Sequence, residues 1–134
     1  MKLGIDFGTT RIIVAAADRG NYPIIDFETP EGTCDWFPSL IAVRDAEVRF
    51  GWDAWRMQAE PDWTILRSVK RHLDRSGPGT VLIIGDREFL LVDLIRGLTR
   101  TLYGALRARF GANEPLEAML EHFTHKKTIV LNMQ

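Results

Sequence analysis

The chain has 134 residues, 46% of them apolar and 26% charged, enough for one domain with its own core and ordinary for a globular protein. A formal net charge of -1 supplies no basic field for nucleic acid or an anionic membrane surface. No run approaches the roughly 18 apolar residues of a membrane span. A single cysteine, Cys34, excludes an intrachain disulfide, and no apolar leader opens the chain, so a soluble cytoplasmic protein is expected.

Leu3, Ile5 and Phe7 alternate as in a strand, and Ile12, Ile13, Val14 and Ala15 begin a second. The short link between them contains Gly8, Thr9 and Thr10, which predicts a β-hairpin. A plain turn needs only Asn-Gly or Asp-Gly. This one adds the Asp6 carboxylate and two hydroxyls, chemistry suited to a phosphate and its metal. Tyr22–Phe27 reads as a third strand, and Glu28–Pro38, with two prolines and a glycine, as an irregular loop. Ser39–Val43 and Val48–Phe50 read as further strands across a short turn.

Helical spacing follows. Trp52, Trp55, Met57 and Ala59 lie on a short helix that stops near Pro61. Ile65, Leu66, Val69 and Leu73 predict an amphipathic helix with Lys70 and Arg71 beside its apolar stripe. After a loop over Arg75–Thr80, Thr80–Ile84 and Arg87–Leu90 read as a second hairpin. The longest helix keeps Leu91, Ile95, Leu98, Leu102 and Leu106 on one face to about Phe110, with Gly111 placed as its C-cap. Arg96, Arg100 and Arg107 form its solvated face. Thr128–Leu131 reads as a last strand, and the whole order favours an α/β or α+β layered architecture.

Several chemically capable residues have plainer readings. Cys34 has nothing nearby in sequence to activate its thiol. His122 and His125 would share a helix face, but without a third ligand or an adjacent glutamate the pair does not define a metal site. His72 reads as a surface residue, and Trp52, Trp55 and Trp63 as core or interface anchors.

Gly4-Ile5-Asp6-Phe7-Gly8-Thr9-Thr10 resembles the first phosphate-binding hairpin of the actin-like ATPases, which include sugar kinases and the heat-shock 70-kDa chaperones. No GxxxxGK[ST] loop occurs. Three later segments single out the chaperones. Phe37-Pro38-Ser39 is similar to their Thr-Pro-Ser-x-Val stretch and Gly51-x-x-Ala54 to their Gly-x-x-Ala. Pro61-x-x-Thr64 followed by Lys70-Arg71 is similar to their Pro-x-x-Thr and Lys-Arg. All occur in order at family spacing. The resemblance runs over residues 1–120, the N-terminal part of a chaperone-type nucleotide-binding domain, with 121–134 a divergent tail.

The resemblance implies an actin-like (ribonuclease H-like) N-terminal lobe fragment: a mixed β-sheet with the phosphate-binding hairpin, plus a small α+β subdomain. It implies that Gly8, Thr9 and Thr10 hold the phosphates of ATP or ADP, and that Asp6 binds magnesium through water. Lys70 would take the place of the catalytic lysine that orients the attacking water. Client polypeptides and co-chaperones are the implied partners. Arg11 departs from the small or polar residue the family carries there, and the sequence leaves two roles open for it, a further phosphate contact or a pair with a nearby acid; Asp35-Trp36-Phe37 replaces a threonine-rich approach. The second phosphate loop and the adenosine pocket have no counterpart here, so the chain by itself is expected to be inactive as an ATP hydrolase. Two rivals stand beside this reading: a sugar or acetate kinase, against which the Pro-Ser and Lys-Arg segments argue, and a non-catalytic interaction module. In the family the face of Leu3, Ile5, Ile12 and Val14 is covered by later helices. Here it is therefore expected to lie open and to make a homo-oligomer.

Overall fold

A computed structural model describes residues 1–73, 77–111, 116–122 and 127–133, with side chains for 1–69, 71–72 and 77–111. The alternation at the start of the chain pairs two strands, β1 (Lys2–Phe7) and β2 (Arg11–Ala17), antiparallel with Phe7 opposite Ile12. Leu3, Ile5, Phe7, Ile12, Val14 and Ala16 all turn to one buried face, as a period of two requires. The expected strand at Tyr22–Phe27 does not form a ladder; it touches β2 only through a bridge between Ala15 and Ile24. Regular pairing starts one turn later. β3 (Phe27–Thr29) and β4 (Gly32–Cys34) make a small hairpin inside the stretch expected to be irregular. The Thr29 hydroxyl closes its turn, donating to the Gly32 carbonyl at 2.7 Å and accepting from the Glu31 amide at 3.2 Å. The two residues of β5 (Phe37–Pro38) then lie along β2.

β6 (Ile41–Arg44) pairs with β7 (Glu47–Phe50), and α1 (Trp52–Met57) follows directly. The residues expected to begin an amphipathic helix instead form β8 (Thr64–Leu66), paired with the other edge of β6. The packing explains this correction. Ile65 lies in a cluster with Leu40, Ala42 and Ala54, while Leu66 lies in another with Ile41, Val43 and Val69. Consecutive residues serve opposite faces, which a strand permits and a helix does not. The helix α2 (Val69–Leu73) is therefore short, and Ser68 before it turns the chain at φ 57°.

The second hairpin, β9 (Val81–Ile84) and β10 (Arg87–Leu90), forms as expected and leads into α3 (Leu91–Phe110). Gly111 caps α3, its amide donating to the Arg107 carbonyl at 2.8 Å. Two further strands are β11 (Leu116–His122), which the sequence did not reveal, and β12 (Lys127–Met133), which contains the Thr128–Leu131 segment. β11 runs parallel to β1, with Ile5 opposite Leu120, and β12 runs antiparallel to β11. The main sheet thus has the order β12-β11-β1-β2-β5, and β7-β6-β8 make a separate three-stranded sheet.

α3 ties the layers together. Leu98, Leu102 and Leu106 pack on the inner face of β1 and β2, while Leu94 and Ile95 join the cluster of Ile41, Val43 and Ile84. Gly97 lies between these two sets, and the Phe50 ring occupies the place its Cβ would fill, 2.1 Å away. The face of Leu3, Ile5, Ile12 and Val14 is consequently covered by α3 and not open. The expectation of an uncovered face there fails because the chain's own longest helix supplies the cover. The opposite face is the exposed one: Gly4, Ile13, Ala15, Tyr22 and Ile24 line a 590 Å³ depression, with Tyr22 and Ile24 70% and 50% exposed.

Candidate functional site

The hairpin between β1 and β2 closes by one bond, the Gly8 amide donating to the Arg11 carbonyl at 2.9 Å. A Cβ on residue 8 would stand 2.5 Å from that carbonyl oxygen. Only glycine lets the two strands come this close at the tip. The exposed residues Thr9 and Thr10 form the turn itself. Among the described residues neither of their amides finds an acceptor, while the Thr10 carbonyl accepts from the Ser39 amide at 3.2 Å. Two adjacent N–H groups at a sharp turn, open to solvent, make a small concentration of positive dipole. Asp6, half-buried, stands opposite Ile13 just below the tip and lines the depression on the exposed face.

The segment that holds this tip follows the same logic. Pro38 pairs with Arg11 and Phe37 with Ile12, and Pro38 suits an edge because it has no amide to donate. The buried Phe37 ring packs on Phe27 with centroids 5.6 Å apart and presses against Gly51, where a Cβ would lie 2.2 Å from it. Gly51 also has φ 61° and begins α1, whose Ala54 is fully buried against Leu40 and Ala42. Three stretches far apart in sequence, the hairpin, Phe37-Pro38-Ser39 and Gly51-x-x-Ala54, are thus stacked in one piece. Gly8 and Gly51 sit where backbone and ring respectively leave no room for a Cβ.

Lys70 is placed elsewhere. It lies in the first turn of α2, beside Val69, which belongs to the cluster of Ile41 and Leu94 and not to that of the hairpin strands. The Lys70 side chain lies outside the described residues. His122 ends the strand β11, which removes the helix face it was expected to share with His125; His125 lies outside the described residues. Among the described residues no group of three or more His, Cys, Asp or Glu is arranged to hold a metal ion. His72 is exposed, and so are Arg96 and Arg100.

Two features of the site escaped the sequence reading. The Arg11 guanidinium carbon sits 4.5 Å from the centroid of the Trp36 ring. Trp36 in turn joins Trp52 and Trp55, with centroids 4.8 and 5.3 Å away. Tryptophans separated by fifteen or more residues carry no local pattern, so only folding shows that they meet. Elsewhere, Arg44 and Glu47 form the described pair with shifted titration. The hydrogen bond from Arg44 holds the Glu47 carboxyl below its ordinary value, and both side chains stand in solvent on the β6–β7 hairpin.

No family model matches the chain. Over 76 residues it is 34% identical to the chaperone protein HscA of Serratia proteamaculans (strain 568), an alignment that takes in 57% of this chain and 12% of the relative. That relative belongs to the heat-shock 70-kDa chaperones, so this chain has a partial likeness to that class. Among the described residues no helix is long and apolar enough to cross a membrane.

Proposed function

We propose that this chain is the N-terminal part of a chaperone-type ATPase domain of actin-like fold, and that its first hairpin holds the phosphates of ATP. The observation that carries this reading is the tip itself: a Gly8 that admits no Cβ, followed by two amides without acceptors. Those groups fit a phosphate, whose oxygens accept such N–H donors. Asp6, close below, fits a magnesium ion bound through its water shell, as that ion retains several waters. Thr9 and Thr10 would contact the phosphates, and Gly8 would set the turn. Lys70 would offset charge near the terminal phosphate. In a complete protein of this kind, bound ATP supplies the free energy that couples hydrolysis to the handling of client polypeptides with co-chaperones in the cytoplasm.

The 134-residue chain should bind magnesium ATP and magnesium tripolyphosphate weakly, with a Kd of about 1 mM or tighter, and should release phosphate no faster than a heat-treated control. Hydrolysis depends on groups positioned from both sides of the phosphates, and one hairpin offers only one side. Thr9→Pro, which deletes one of the two amides, should weaken binding about tenfold. Titration calorimetry reads both. Absence of saturable binding, or equal affinity in the Thr9→Pro variant, overturns the assignment.

A further inference from the structure

Arg11 stands directly after the two open amides, and its guanidinium rests on Trp36. We propose that Arg11, seated on Trp36, is a further anion-holding residue of the hairpin, gripping the phosphate chain that the Thr9 and Thr10 amides approach. This rests on the reading of the hairpin as a phosphate site and adds a residue to it.

Three observations lead there. First, the guanidinium is not engaged by an acid. Arg44, Arg56, Arg96 and Arg109 each pair with a carboxylate at 2.9–3.5 Å, whereas Arg11 pairs with none among the described side chains. Second, its contact is with a ring. A guanidinium held over an aromatic face keeps its full charge, and its in-plane N–H donors remain free for an anion. Third, both ends of the residue are fixed. The Arg11 carbonyl accepts the Gly8 amide, and Trp36 is held by Trp52 and Trp55. An arginine already restrained in this way loses less freedom when an anion arrives, so each hydrogen bond it makes counts for more. Its side chain is exposed at the tip, within the reach of one residue from the open amides.

The same arrangement provides a reporter. A ligand that draws the guanidinium off or along the Trp36 ring changes the surroundings of a three-indole cluster, so binding should alter tryptophan emission. The experiment titrates the wild-type chain, Arg11→Ala, Arg11→Lys and Trp36→Phe with magnesium tripolyphosphate and with inorganic phosphate. Affinity is followed by calorimetry and emission by fluorescence.

Arg11→Ala should lose about tenfold in tripolyphosphate affinity, the scale of one charge-assisted contact, together with the emission change. Arg11→Lys should recover part of the affinity, since it restores charge but not the fork. Trp36→Phe should fall between, because the residue acts by seating Arg11. Inorganic phosphate should bind more weakly and discriminate less among the variants. Wild-type affinity in a folded Arg11→Ala variant overturns this proposal and leaves the hairpin reading intact. Failure of the wild-type chain to bind either ligand overturns both. Should Arg11→Ala lose its fold, wild-type affinity in Arg11→Lys together with Trp36→Phe overturns the proposal equally.

Discussion

At the scale of single residues, the missing Cβ atoms decide more than the charges do. Gly8 and Gly51 permit close approaches at the hairpin and at the head of α1, and Gly97 accepts the Phe50 ring in the middle of α3. The last gives a sharp test because two effects oppose. Alanine is favoured over glycine in a helix by about 1 kcal/mol, yet its methyl here would overlap the Phe50 ring. Overpacking of that kind costs about 1–3 kcal/mol, and the partly buried ring packs against both clusters. Gly97→Ala should therefore lower stability despite its better propensity. Adding Phe50→Leu should recover part of the loss, a coupling above about 0.5 kcal/mol in a double-mutant cycle by urea unfolding. Greater stability in Gly97→Ala alone would show that the ring moves aside freely.

At the scale of elements, the β6–β7 hairpin carries the described pH-sensitive pair. The Glu47 carboxylate accepts from Arg44 at 3.0 Å and from Arg49 at 3.1 Å. The Arg44 hydrogen bond lowers the Glu47 value most, then the charge of Arg44. A folded value below the unfolded one, near 4.3, makes this pair stabilising above that pH. The contribution disappears as pH falls through the folded value. Both groups stand in solvent, so screening keeps the effect on stability small. The titration itself is still readable. Carboxyl-detected NMR should place Glu47 below the ordinary glutamate range, and Arg44→Ala should return it most of the way. An unchanged Glu47 titration in that variant would assign the shift to Arg49.

At the scale of the whole molecule, α3 is the shared wall of two cores. Leu98 is fully buried under β1 and β2, and Leu94, one helical turn earlier, packs with Ile41, Val43 and Val69. Because one rigid helix serves both clusters, loss of either should release the other. Leu98→Ala and Ile41→Ala, each deleting a fully buried side chain, should each cost about 2–5 kcal/mol. Both should move one common transition, seen at the same urea concentration by circular dichroism and by tryptophan emission. Two separated transitions, or a shift in one probe alone, would show that the clusters unfold independently.

What the sequence determined by itself is what lies within a few residues of its own signal. The first and second hairpins and α3 were legible because alternation and helical spacing are written into adjacent side chains, and Gly111 marks where α3 ends. The residue types at the tip, Asp6, Gly8, Thr9 and Thr10, were likewise visible as a group. Tertiary structure decided the rest. Ile65 and Leu66 satisfy a helical spacing as well as a strand, and only the free edge of β6, with apolar clusters on both sides, selects the strand. β11 lacked a strong local pattern and is defined by its parallel pairing with β1. Which sheet face is covered depended on where α3 lands, and the seat of Arg11 depended on Trp36 meeting it from 25 residues away. Local periodicity fixes backbone conformation because its interactions span a few residues. Partners across the fold are chosen by burial and close packing, which no short stretch encodes alone.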